Sequence, residues 1–311
     1  ITVNAAVVAT DLITVSAGED GSGGFTLTLS GSLTTTGAGS DVTVSTGSGS
    51  GDLSLAGTTT ALDQVLMTSS VGSINGSGLV TGNTVALTAA IGIGNATGIE
   101  LSASNISADT TSGDLEIDNV LGTSVNVTSL TTGSGSIDFD QSGGGSLVTG
   151  ILSATNTIDV TNSAGDVSLA GTVASSDLVV TSSGAVTDGA DGDLAISGSA
   201  QLTGGSIELG NDAGNTTNFG SLTFNSAGSV NIVEDSAMLV SGPSSAGSGL
   251  DLVAADDVTL DSTVTVVGDV SIIAGTTTGG IDVNAKLNGS GAILLDAADE
   301  ITIDAAIDPT T

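Results

Sequence analysis

The chain has 311 residues, of which 34 are acidic and one, Lys286, is basic, for a formal net charge of −33. It has no Arg, His, Cys, Trp or Tyr. With nothing to neutralise phosphate, nucleic acid and anionic membrane surfaces are excluded as partners, and without thiols so are disulfides and thiolate–metal sites.

Gly, Ser and Thr supply 135 residues, a share that often accompanies disorder. Here the remainder is Val, Ile, Leu and Ala in alternation, and the mean hydropathy of +0.42 is enough for a core. That core must be narrow and aliphatic, since Phe25, Phe139, Phe219 and Phe224 are the only aromatics. No apolar run reaches the ~18 residues of a membrane helix. The aromatic girdles of a membrane barrel are missing as well, so no membrane insertion is expected. The chain opens at Ile1 with no leader-like segment, as a processed product or an excerpt of a longer polypeptide would.

In chain order, Ile1-Thr2-Val3 begins directly in strand-like alternation, and then one short phrase returns. A turn pair, Gly-Asp or Gly-Ser, precedes apolar, polar, apolar: Gly51-Asp52-Leu53-Ser54-Leu55, Gly113-Asp114-Leu115-Glu116-Ile117 and Gly165-Asp166-Val167-Ser168-Leu169. It recurs from Gly192-Asp193, Gly205-Ser206, Gly228-Ser229 and Gly268-Asp269. Two inward side chains around one outward polar one are the period of a short strand with one buried face. The glycine is expected to turn the chain at positive φ.

Strand centres at Leu115, Ile137 and Ile158, and at Val230, Leu250, Val270 and Ile293, lie 20 to 23 residues apart. That spacing predicts an all-β fold, a right-handed parallel β-helix (β-solenoid) with about 20–23 residues per coil. The expected organisation is a single continuous rod over residues 1–311, with about 14–15 coils and a length of roughly 70 Å from the strand spacing. The register blurs near 62–82 and 185–225, where loops or irregular coils are expected.

Carboxylates are the only abundant chemistry. Asp138-Phe139-Asp140 and Asp256-Asp257 are paired acids, but no Arg, His, Trp or Tyr accompanies them to move a proton or stack on a sugar. They read as strand-flanking turn residues, and no catalysis is expected. Asp188-Gly189-Ala190-Asp191-Gly192-Asp193 places three carboxylates on a glycine-rich segment that can wrap a hard cation. Asp188, Asp191 and Asp193 are therefore candidate ligands for Ca²⁺, against the plainer reading of a solvated Asp-Gly turn. Asp296, Asp299 and Glu300 form a weaker acidic group. Sequons at Asn75, Asn95, Asn105, Asn126, Asn215 and Asn288 are no more frequent than composition predicts. Asn126, between Val125 and Val127, is expected to face outward.

The phrases Ser163-Ala164-Gly165-Asp166-Val167-Ser168-Leu169-Ala170-Gly171, Asn83-Thr84-Val85-Ala86-Leu87-Thr88-Ala89-Ala90 and Asp299-Glu300-Ile301-Thr302-Ile303-Asp304 resemble the filamentous-haemagglutinin-like repeats of large bacterial exoproteins. Such proteins leave the cell by two-partner secretion or as autotransporter passengers. The resemblance is periodic and compositional and runs over nearly the whole chain. It implies a non-catalytic extracellular protein at the bacterial cell surface, the stalk or fibre shaft of an adhesin or filament. Its partners would be further copies of itself, adjoining segments of a longer polypeptide, or a host or neighbour-cell surface. Two alternatives stand beside it. One is a polymeric surface-layer or sheath subunit joined through calcium-bridged carboxylates, and the other a carbohydrate-binding or carbohydrate-cleaving β-helix.

Overall fold

The computed structural model describes residues 1–18, 25–49, 51–95, 97–275 and 277–309. It is all-β, with 37 strands and no helix among the described residues. The strands pair in parallel with counterparts one coil away and stack as a β-solenoid of about 13 turns. Two compact units divide the chain, Ile1–Ala164 and Gly165–Thr311.

In the first unit, one column of strands comprises Leu27–Leu29, Leu53–Leu55, Ser73–Gly76, Gly92–Ile93, Leu115–Val120, Ile137–Ser142 and Thr157–Asn162. A second begins at Val7–Ala9 and Leu33–Thr35, and a third at Leu12–Ala17, Asp41–Thr46 and Gln64–Ser69. The long strands Val80–Ala89 and Ile99–Thr110 serve both of these columns. In the second unit the three columns are clearest from residue 229 onward. They run through Ser229–Glu234, Gly249–Ala254 and Val270–Ala274, through Met238–Val240, Val258–Leu260 and Ile281–Val283, and through Ser244–Ala246, Val264–Val266 and Leu287–Gly289.

The phrase behaves as its period demands. Leu53, Leu55, Val167, Leu169, Val270 and Ile272 are buried, while Ser54, Ser168 and Ser271 face outward and are partly exposed. Its glycines serve two purposes rather than one. Gly113 and Gly268 do lie at positive φ, 84° and 112°. Gly228 does not: a Cβ there would stand 2.6 Å from the Gly205 carbonyl oxygen, so close stacking of successive coils is what demands glycine.

The coil count falls below the expected 14–15 because the first coils are long. Leu27 stacks on Leu53 and Leu12 on Asp41, steps of 26 and 29 residues. Within residues 62–82, where the apolar spacing blurs, Gln64–Ser69 pairs in register with Val80–Ala89 and with Asp41–Thr46. Val65, Met67, Ile74 and Val80 are buried there, but Leu62, Val71 and Leu79 are exposed and the inward Ser73 is small and polar. Large apolar residues thus fall on both faces, which blurs the apolar period. Residues 185–225 contain turns at 189–193 and 210–216 and a register shift between Ile196 and Ser199.

Polar side chains close the corners from inside. Asn119, Gln141 and Asn162 stack in register in the first column and are fully buried. Asn119 accepts a bond from the Ala103 amide (3.0 Å), donates to the Ala103 carbonyl (3.1 Å) and donates to Gln141 Oε1 (2.7 Å). At another corner the hydroxyls of Thr46 and Ser69 reach the Gly51 carbonyl, and those of Thr110 and Thr132 the Gly113 carbonyl. Each satisfies a carbonyl that the turn takes out of the ladder.

The register makes a direct prediction. Leu53→Ala removes a fully buried side chain and should cost about 2–5 kcal/mol, whereas Ser54→Ala, one residue away, should stay within about 0.5 kcal/mol. Urea unfolding of the two variants checks it. Equal losses would mean that the inward and outward faces are not distinct.

Candidate functional site

The aspartate of each Gly-Asp phrase has a specific role. The carboxylate of Asp52 accepts the amide of Ser73 at 2.9 Å. Those of Asp114, Asp166, Asp193 and Asp269 accept the amides of Ser136, Ala185, Thr216 and Ala292, each at 2.8 Å. In every case the amide belongs to the residue stacked directly on that aspartate one coil later, since Leu53 pairs Ile74, Leu115 pairs Ile137, Val167 pairs Val186, Leu194 pairs Thr217 and Val270 pairs Ile293. The side chain extends the ladder by one bond where the backbone has begun to turn, a clasp between coils. Asp257 does the same for Gly280, and Asp177 takes both the amide and the hydroxyl of Ser199. Those bonds from Ser199 hold the Asp177 carboxyl below the usual aspartate range.

This accounts for much of the segment proposed to hold calcium. Asp193 is a clasp, its Oδ1 also taking the Thr216 hydroxyl at 2.9 Å. Asp188 ends the strand Ala185–Asp188 and accepts the Gly210 amide (2.8 Å) and the Asn215 side-chain amide (3.2 Å). Burial pushes its carboxyl up, against the lowering effect of those bonds. Asp191 is exposed in the turn, where its carbonyl accepts the Asp193 amide. The three candidates thus share a loop but engage different partners. Among the described residues no three acidic side chains are grouped so as to hold a metal ion. Asp188 does border a hollow with Glu208, Asn211 and Asp212.

The densest acidic feature was missed because its residues were read as turns. Asp138 and Asp140 do not flank a strand; they lie within Ile137–Ser142 on its outer face, either side of the buried Phe139. Stacking extends them into two rows, Glu116–Asp138–Asp159 and Glu100–Asp118–Asp140. The second row borders an open hollow of about 340 Å³ with Gln141, Ser142, Thr161 and Ser163. The carboxyl of Asp138 is pushed up to about 6, first because neighbouring strands strip water from it and then by the charges of Asp140, Asp159, Glu116 and Asp118. Asp118 and Asp159 are raised for the same two reasons, burial and Asp140. The signal was present in the sequence: Glu116, Asp138 and Asp159 are spaced by one coil each. By contrast Asp256 and Asp257 do sit in a turn. Asn126 is exposed, as its neighbours predicted, whereas the Asn215 side chain is engaged by the Gly189 carbonyl at 2.7 Å.

Lys286, the single basic side chain, lies 3.2 Å from Asp308 at the surface. Compared with protein-family profiles, with curated proteins and with solved structures, the chain matches none.

Two expected outcomes follow from these carboxylates. Asp138 holds its proton more tightly folded than unfolded, so its contribution to stability is present below pH 3.8 and is lost as pH rises through about 6. Asp138→Asn should therefore raise stability at pH 7.5 and do nothing below pH 4. The gain should be under about 1 kcal/mol, because the group stays largely in contact with solvent; thermal melts at the two pH values read it. Asp193→Ala should lower the melting temperature equally in calcium and in chelator at matched ionic strength, since it removes a clasp. A loss confined to the calcium arm would make Asp193 a ligand instead.

Proposed function

We propose that the chain is a length of shaft from a non-catalytic, extracellular bacterial surface adhesin or filament, of the kind built by filamentous-haemagglutinin-like repeats. The observation that carries this reading is the recurrent clasp. All five aspartates of the Gly-Asp phrase join one coil to the next, so the repeated sequence feature is engaged in holding coils together rather than in a local site. Load along a solenoid is then shared between three backbone ladders and a side-chain bond at each clasped coil. An outer surface rich in carboxylate, with one lysine in the whole chain, gives trypsin-like proteases a single point of attack. It also repels like surfaces until cations screen it.

The shaft's partners on this reading are adjoining segments of a longer polypeptide or further copies of itself. Electron microscopy of native material from the producing cells tests it. Thin rods or fibres at the cell surface are the expected result. An ordered two-dimensional lattice would favour the surface-layer alternative, and soluble particles retained inside the cell would overturn both.

A further inference from the structure

In the second unit, in a different column of strands, a corner is closed in the manner of Asn119 by a group that can change its charge. Glu234 is the third inward residue of Ser229–Glu234 and is 1% exposed. Its Oε1 accepts the amide of Phe219 at 2.9 Å, in the strand of the preceding coil, just as Asn119 Oδ1 accepts the amide of Ala103. The Ser236 hydroxyl donates to the same oxygen at 3.2 Å. The other oxygen differs. In Asn119 the second group is an NH₂ that donates to the Ala103 carbonyl and to Gln141, whereas Glu234 Oε2 is buried with no hydrogen-bond partner. The Thr217 hydroxyl, on the same inner face as Phe219 and two residues before it, is also buried without a partner. A carboxyl fills an amide's place only when it carries a proton, because only then does its second oxygen have a hydrogen to give.

We propose that Glu234 is a proton-controlled latch: neutral, it pins the corner between Ser229–Glu234 and the strand Thr217–Ser226, and ionised, it releases that corner.

The charged side chains on the elements around it are all acidic. On its own turn Asp235 follows it and accepts the Thr217 amide at 2.8 Å. In the next coil Ala254 stacks on it, with Asp251 earlier on that strand and Asp256 and Asp257 in the turn beyond. The turn before Thr217 carries Asp212. No cation faces it, because Lys286 is the chain's only basic side chain and is paired with Asp308. Burial, and then the charge of Asp235, push its carboxyl up to about 7, against the lowering effect of the bonds from Phe219 and Ser236. A carboxyl raised in this way stabilises the closed corner fully below its ordinary 4.5, and that stability is lost as pH rises through about 7. The residues that follow it in register are Ala254, Ala274 and Ala297, so the later coils do not repeat the carboxyl.

Hydrogen exchange of the full chain, followed by mass spectrometry at pH 5 to 9 and corrected for intrinsic rates, tests the latch. In the wild type the peptide containing the Phe219 amide should lose protection on the order of a hundredfold across this range. Glu234→Gln, a permanent neutral acid mimic, should abolish that dependence and stay protected. Glu234→Ala should abolish it at a uniformly low protection. A wild-type profile flat with pH, or a profile in Glu234→Gln parallel to the wild type, would overturn the proposal. If Glu234→Gln fails to fold, the wild-type profile and Glu234→Ala decide alone.

Discussion

Along the described strands each residue pairs with one about a coil away, and that in-register stacking constrains everything else. A side chain that points inward has its own counterpart as floor and ceiling, so volume must be matched coil by coil, as in Leu115, Ile137 and Ile158. A polar group on the inside has to find its partner within the column or at the neighbouring corner, because a buried polar group left unpaired is costly. The amides of Asn119, Gln141 and Asn162 meet that demand by stacking on one another. The same rule operates outside, where a carboxylate in one coil finds either an amide to accept, as Asp114 does, or another carboxylate to repel, as Asp138 does.

The fold was legible wherever the inward residues are aliphatic. Apolar, polar, apolar after glycine identified the faces of Leu53–Leu55, Val167–Leu169 and Val270–Ala274, and the spacing of the phrases identified the stacking. Legibility weakened where large apolar residues fall on both faces. Leu62, Val71 and Leu79 are exposed between the buried Val65, Met67, Ile74 and Val80, so the alternation is blurred there. Long early coils hid for a related reason: an insertion at a turn changes spacing without touching the strand phrase. The acidic rows were within reach of the sequence but needed two steps, first fixing the coil length and then applying it to polar rather than apolar residues.

The net charge of −33 divides into carboxylates with unlike roles. Asp52, Asp114, Asp166, Asp193 and Asp269 are each anchored by a backbone amide one coil later. Glu100, Glu116, Asp118, Asp138, Asp140 and Asp159 stack in rows on a sheet face, where burial and the charge of Asp140 raise the carboxyls of Asp118, Asp138 and Asp159.

The corners are where chemistry enters an otherwise repetitive fold. Along a strand the backbone ladder satisfies itself, and any side chain of suitable size will do. At a turn, amides and carbonyls leave the ladder, and a particular side chain must meet them: hydroxyls at Thr110 and Thr132, amides at Asn119 and Asn162, a carboxylate from outside at each Gly-Asp phrase. These solutions are interchangeable in geometry but not in charge. An amide or hydroxyl closes a corner at any pH, and an exposed carboxylate closes it whenever it is ionised. A buried carboxyl closes it only when protonated, and Glu234 is therefore the corner whose strength the surroundings set rather than the fold alone.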